Sequence, residues 1–155
     1  MPGAPVSPRV RRAASSDLDD LVALEERSFS GDRLSRAQYR RHLDSDSAVV
    51  LVATGSHRSL LGSAVLFYRK RSSVARLYSL STQPEARGQG VGAALLEAAI
   101  MATRQHGNRA LRLEVRIDNT AAISLYERTG FRRIGGYAAY YHDGADALRY
   151  ELTVG

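Results

Sequence analysis

The sequence predicts a mixed α/β fold, one mostly antiparallel sheet of about seven strands with four helices spread over both of its faces. Three observations lead there. Residues 48–82 hold three β-rich stretches separated by short turn-forming segments, which reads as an antiparallel meander. Two helical segments precede the meander and two follow it, so helices are available for both faces. The chain has 155 residues, and at roughly 150 residues per domain that is a single domain, residues 1–155, with residues 1–8 expected to be flexible.

Taken in order, Arg9 to Ala13 reads as a short strand. Ser16 caps a helix whose apolar residues, Leu18, Leu21, Val22 and Phe29, recur at the helical period. Ser30-Gly31-Asp32-Arg33 reads as a loop, and a second short helix starts at Ser35 and carries Tyr39 and Leu43. The meander strands are Ala48 to Thr54, Leu60 to Tyr68 and Val74 to Thr82. Gly90 to His106 is a helix with Val91, Leu95, Ala98 and Ala102 on one stripe, and Gly107 closes it. From Ala110 to Ile117 the sequence alternates strictly: Leu111, Leu113, Val115 and Ile117 face one way, Arg112, Glu114 and Arg116 the other. Asn119 caps a helix that runs to Thr129 and stops at Gly130. Phe131 to Tyr137 and Leu148 to Val154 complete the sheet.

A formal net charge of +6 invites a nucleic-acid reading, and the distribution of charge disfavours it. Every basic residue except Lys70 is arginine, acids stand between them, and the cluster Arg69-Lys70-Arg71 has no aromatic residues interleaved for stacking bases. The surplus suits an anionic ligand or partner better. The absence of cysteine excludes disulfides, thiolate nucleophiles and Cys-ligated metals, and the scattered histidines offer no zinc spacing, so no metal is expected. No apolar run approaches the roughly 18 residues of a membrane span, and residues 1–8 lack the apolar centre of a signal peptide. A cytoplasmic protein with no membrane partner is the expectation.

The Gly-rich turn Pro84-Glu85-Ala86-Arg87-Gly88-Gln89-Gly90-Val91-Gly92-Ala93 lies between a strand and a helix, where backbone N–H groups meet an anion at the positive helix end. A phosphate-bearing ligand is implied. Gly88-x-Gly90-x-x-Ala93 formally satisfies a dinucleotide fingerprint, but Gln83 to Arg87 separate it from the strand, a meander precedes it, and there is no room for a second domain. A nucleotide-triphosphate loop is excluded because no Lys-Ser/Thr follows the last glycine. Arg87 to Gly92, read as Arg-x-x-Gly-x-Gly, instead resembles the pyrophosphate loop of acyl-CoA-binding acetyltransferases.

The resemblance extends from Leu77 to Leu152. It is carried by Leu80-Ser81-Thr82, Arg87 to Gly92, Leu113-Glu114-Val115-Arg116, Asn119 to Tyr126, Gly130-Phe131 and Tyr140 to Ala147, in that order. The chain is similar to the GNAT superfamily of acetyl-CoA-dependent N-acetyltransferases, and within it most like the RimI-type protein N-terminal acetyltransferases. That resemblance implies acetyl-CoA as co-substrate. It implies cofactor contacts from Leu80, Ser81, Thr82, Arg87, Gly88, Gln89, Gly90, Val91, Gly92, Ala93 and Asn119, with a backbone N–H at or beside Thr82 polarising the thioester carbonyl. It further implies Glu114 as the base that takes the amine proton through water and Tyr126 as the acid for the departing thiolate.

Independently of the resemblance, Glu114 lies on a polar strand face between Arg112 and Arg116, whose approach would lower its pKa and weaken it as a base. Tyr126 sits one turn after Ala122 on an apolar helix face, where a packed core tyrosine would serve equally. Glu25 falls on the apolar stripe of the first helix, so it faces either an acceptor channel, as a counter-charge for a substrate ammonium, or an arginine such as Arg40 or Arg41. Phe29, Tyr140 and Tyr141 are the other substrate-side candidates, and His142 is a secondary base candidate. The acceptor the resemblance implies is the N-terminal α-amine of a protein or peptide; a small amine, such as an aminoglycoside, a polyamine or an amino-acid derivative, is the alternative. Thr82 where an aliphatic residue is usual, and Phe29 to Leu34 without tryptophan, favour that alternative. The chain is expected to act as a monomer or homodimer.

Overall fold

Alternating apolar residues in adjacent strands give the sheet two faces to bury, and both receive helices. The computed structural model describes residues 8–28, 33–55 and 59–155. Among these, β1 (Arg9–Arg12), β2 (Ala48–Thr54), β3 (Leu60–Phe67), β4 (Val74–Thr82), β5 (Ala110–Arg116), β6 (Arg132–Tyr137) and β7 (Ala147–Thr153) form one sheet in the order β1-β2-β3-β4-β5-β7-β6. Every neighbouring pair is antiparallel except β4 and β5. The helices are α1 (Leu18–Ser28), α2 (Arg36–Leu43), α3 (Val91–Gln105) and α4 (Thr120–Thr129). The expected mixed α/β architecture is therefore the one that forms.

Side chains along a strand point alternately to opposite faces, and β2 shows the consequence. Val50 and Val52 join Leu21 of α1, Tyr39 of α2 and Val65 of β3 in one apolar layer. Val49, Leu51 and Ala53 join Val91, Leu95, Leu96 and Ala99 of α3 and Tyr126 of α4 in the other. Ser35 starts α2 with a reciprocal cap: its hydroxyl accepts from the Gln38 N–H at 3.1 Å, while the Gln38 side chain accepts from the Ser35 N–H at 2.8 Å.

Two features of β4 place the site. Its parallel pairing with β5 runs only from Val74↔Ala110 to Leu77↔Leu113, although both strands continue. Its antiparallel pairing with β3 passes from Leu66↔Leu77 to Val65↔Ser79, leaving Tyr78 as an extra residue. Such a bulge bends a strand and increases its twist. β4 therefore turns away from β5 just where their ladder ends.

Glu25 decides how α1 meets α2. It is 3% exposed, and its oxygens accept from the Leu34 N–H at 2.8 Å and from the Tyr39 hydroxyl at 2.7 Å. The donors are thus Leu34 and Tyr39 rather than Arg40 or Arg41. Burial raises the carboxyl pKa, against the opposing pull of these two bonds and of Arg33.

Two predictions come from this packing. A Cβ on Gly62 would lie 2.5 Å from the Ser81 carbonyl oxygen and 3.0 Å from side-chain atoms of Leu95 and Val91. Gly62→Ala should therefore destabilise the fold by about 1–3 kcal/mol through forced displacement of β4, read as a lowered Tm. The second concerns Glu25. Its pKa in the folded state lies above the ordinary 4.5, so the folded chain holds that proton more tightly than the unfolded chain, and stability falls as pH rises from 4.5 through the raised value. Glu25→Gln has no such titration, and thermal melts should show the wild type losing ground to it over that window; a difference independent of pH would count against the assignment.

Candidate active site

Where β4 and β5 part, a cleft of about 730 Å³ opens. Leu77 to Leu80 line one wall and Glu114 to Arg116 the other, with Asn119 and Tyr126 of α4 nearby. Residues 140–143, in the connection from β6 to β7, and Glu25 and Ser28 of α1 complete the lining. Beyond Leu77 the edge of β4 that faces β5 carries backbone groups with no partner strand, so these are available to an extended ligand.

Glu114 lies on the wall of this cleft with 11% of its side chain exposed. Its neighbours differ from those its own strand suggests. Arg112 pairs with Glu151 at 2.5 Å, and Arg116 with Asp118 at 3.1 Å and Asp143 at 2.8 Å. The cation on Glu114 is Arg76 of β4, which also donates to the Tyr140 hydroxyl at 2.9 Å. Sequence reasoning missed Arg76. Its role depends on the β4–β5 pairing, in which Arg76 stands beside Arg112, and no local spacing encodes that pairing.

Tyr126 combines both readings available to it, since it packs in the core, 6% exposed, and also lines the cleft. Its ring meets Phe131 at 5.6 Å between centroids. Burial, reinforced by the neighbouring Tyr141, raises the phenol pKa, so the hydroxyl holds its proton at neutral pH.

The connection between β6 and β7 is held over the cleft by charge and by its own backbone. Arg116 takes both oxygens of Asp143, at 3.0 and 2.8 Å, and its guanidinium lies 5.2 Å from the Tyr141 ring centre. That pairing depresses the Asp143 carboxyl to about 2. The Tyr141 N–H donates to the Ala145 carbonyl at 3.1 Å, and the Asp146 side chain accepts from the Ala139 N–H at 2.8 Å. Tyr140 stacks on Tyr137 and meets Tyr141 edge-on. His142 also lines the cleft.

The other predicted residues divide. Leu80 lines the cleft; the Ser81 side chain is buried beside β3, and Thr82 pairs with Gly62 at the far end of β4. Arg87, Gly88, Gln89 and Gly90 form an exposed turn beyond the cleft, ahead of α3. Gly88 and Gly90 both have φ of +80°, and nothing lies within 4 Å of where a Cβ would stand, so the turn presents bare backbone to solvent. Val91 is core, leaving only its backbone for a ligand; Gly92 packs towards Leu125, and Ala93 is exposed. The Asn119 side-chain oxygen accepts from the Ala122 N–H at 3.2 Å, so it caps α4 while lining the cleft. Phe29 lies outside the described residues.

These features fit a long, phosphate-bearing thioester. The unpaired β4 edge suits an extended amide-containing arm, and the glycine turn at the start of α3 suits a pyrophosphate. The Ser79 hydroxyl, on the cleft wall, and the Gln83 side-chain oxygen, between strand and turn, are buried without hydrogen-bond partners among the described residues. Among those residues no cluster of His, Asp and Glu could hold a metal ion, and no helix is long and apolar enough to cross a membrane.

Known proteins share this fold. The crystal structure of the ribosomal-protein-S18-alanine N-acetyltransferase from Escherichia coli superposes with a TM-score of 0.84 at 26% identity, covering 96% of this chain and 94% of that one. A Bacillus subtilis protein, provisionally named as a ribosomal protein bS18-alanine N-acetyltransferase, is 28% identical over 148 residues, 94% of this chain and 95% of its own. N-alpha-acetyltransferase 30 of Schizosaccharomyces pombe is 41% identical over 73 residues, 47% of this chain, and the match spans about half (49%) of that relative's length. Residues 17–131 match the acetyltransferase (GNAT) family, and with three quarters of the chain inside that match and the β4–β5 cleft in place, the protein belongs to that family.

Proposed function

We propose that the protein transfers the acetyl group of acetyl-CoA to the N-terminal α-amine of a protein or peptide. The observation that carries this reading is the single cleft lined at once by Glu114, Tyr126 and the Tyr140–Tyr141 connection. It offers a carboxylate, a protonated phenol and an approach walled by Tyr140 and Tyr141.

Acetyl-CoA supplies the acetyl group as a thioester when bound. The residues on this chain that would hold it are the backbone of Gly88 to Ala93 with Arg87 at the pyrophosphate, and the free edge of β4 along the arm. Asn119 would contribute its amide N–H₂, since its oxygen is engaged in the cap. A backbone N–H at the parted end of β4 would donate to the carbonyl oxygen as charge develops there. Glu114 would take a proton from the acceptor ammonium, directly or through water, before the freed lone pair bonds to the acyl carbon, and the second proton that the nitrogen loses on becoming an amide would restore the Tyr126 hydroxyl. An α-amine, with an ordinary pKa of about 7.7–8.0, needs only modest help. Tyr126 would deliver its hydroxyl proton to the sulfur as the carbon–sulfur bond breaks; burial keeps that proton in place until then. Glu25 serves the acceptor end by holding Leu34 and Tyr39, because both of its oxygens already have donors.

Two tests separate these roles from a merely structural reading. Glu114→Gln should lower kcat/KM by about 10²–10⁴-fold near neutral pH and recover in part at high pH, whereas Tyr126→Phe should lower it without recovery. Wild-type pH–rate profiles in both variants would place acid and base elsewhere, with His142 next in line. For the acceptor class, turnover is compared between N-terminal peptides and a panel of small amines. Tyr141→Phe should raise KM for peptides more than it lowers kcat and be nearly silent for small amines, which lack the backbone groups it would contact. Turnover of small amines alone, with Tyr141→Phe indifferent, would replace the peptide reading by the small-amine one.

A further inference from the structure

The sheet surface beside Glu114 carries more positive than negative charge. Residues opposite one another in adjacent strands share a face. Arg76 stands beside Arg112, Arg112 opposite Glu151, Glu114 opposite Arg149, and Glu151 opposite Arg132. Five guanidiniums, that of Arg116 included, thus share a face with the strand carboxylates Glu114 and Glu151, while Asp118 and Asp143 pair with Arg116. The α1–α2 layer packs on β2 and β3, and α1 reaches β4, where Glu25 and Ser28 line the cleft beside Arg76.

Two arginines of this set line the cleft: Arg116, which Asp118 and Asp143 already hold, and Arg76. Arg76 is paired with Glu114 and bonded to Tyr140, yet its Nε is buried with no hydrogen-bond partner among the described residues, and the Nε of Arg149 is in the same position. An acceptor ammonium arriving at Glu114 competes with Arg76 for one carboxylate and is repelled by the guanidinium it displaces. A carboxylate carried by the acceptor itself removes both difficulties. The amine takes Glu114, and the acceptor's carboxylate takes the guanidinium that Glu114 releases, whose turning brings the buried, unpartnered Nε into a pair of N–H···O bonds. A residue of extended peptide advances about 3.3–3.6 Å and neighbouring strands lie about 4.8 Å apart. A side-chain carboxylate on the first or second residue therefore reaches Arg76 or Arg149 while the amine sits at Glu114.

We propose that Arg76, supported by Arg149, selects acceptors whose amine is followed within two residues by an acidic side chain. This rests on the peptide α-amine reading. The test uses the full chain with saturating acetyl-CoA and matched peptides that differ only at the second residue, Asp, Ala or Lys. Wild type should favour Asp over Lys by about tenfold or more in kcat/KM, chiefly through KM, with the ratio shrinking at high salt. Arg76→Gln should bring the Asp-to-Lys ratio to within about twofold, and Arg76→Lys should restore much of it. Any effect of Arg76 on Glu114 common to all peptides cancels in this ratio. Equal use of the three peptides by wild type, or a preference that survives Arg76→Gln, overturns the selectivity and leaves the peptide reading standing. Turnover of small amines with no peptide accepted overturns both.

Discussion

The site depends on a ladder that stops early. β4 and β5 are the one parallel pair among the described strands, and their hydrogen bonding ends at Leu77 and Leu113 while both strands run on. Unpaired backbone groups inside a protein are costly, so a sheet interior that opens in this way needs either water or a ligand along the exposed edges. Here the opening is shaped by the bulge at Tyr78, whose extra residue diverts β4 while its other edge stays bonded to β3 through Thr82. Glu114 stands on one edge of that gap, and Tyr126 and the β6–β7 connection line it too.

Electrostatics then adjust the gap. Two acid–arginine sets border it, Arg76 with Glu114 and Arg116 with both Asp118 and Asp143, and a third, Arg112 with Glu151, lies beside them on the sheet. Each does a different thing. Arg116 ties the β6–β7 connection to β5, Arg112 pairs across to β7, and Arg76 bridges the base candidate and Tyr140. Each of these arginines keeps a third or more of its side chain in solvent, which limits what the pairs add to fold stability. Their effect is on position and charge at the cleft.

Glu25 and Glu114 mark the limit of reading carboxylates from sequence. For Glu114, Arg112 and Arg116 look like the obvious partners because they flank it on the same strand face. Residues two apart on a strand are separated by about 6.5–7 Å, whereas directly paired residues in adjacent strands are closer, so acids in a sheet meet cations from neighbouring strands. For Glu25, the apolar stripe correctly signals a buried acid needing partners. Its donors, a backbone N–H and a tyrosine hydroxyl, lie on the next helix and the segment leading into it, which helical periodicity along α1 does not describe.

The sequence by itself determined the elements and their faces. Period-2 alternation in 110–117, capping residues at Ser35 and Asn119, and a glycine turn before a long apolar-striped helix are local signals, and local backbone and solvation physics suffices to interpret them. It also marked Glu114, Tyr126 and the Gly88–Gly90 turn through an ordered motif set. Only the tertiary structure decided that β4 pairs in parallel with β5, that this pairing ends four residues in, and that Arg76 rather than a strand neighbour meets Glu114. Those are contacts between residues far apart in the chain, set by how two sheet segments twist and pack against α3 and α4, and no short window of sequence holds both partners at once.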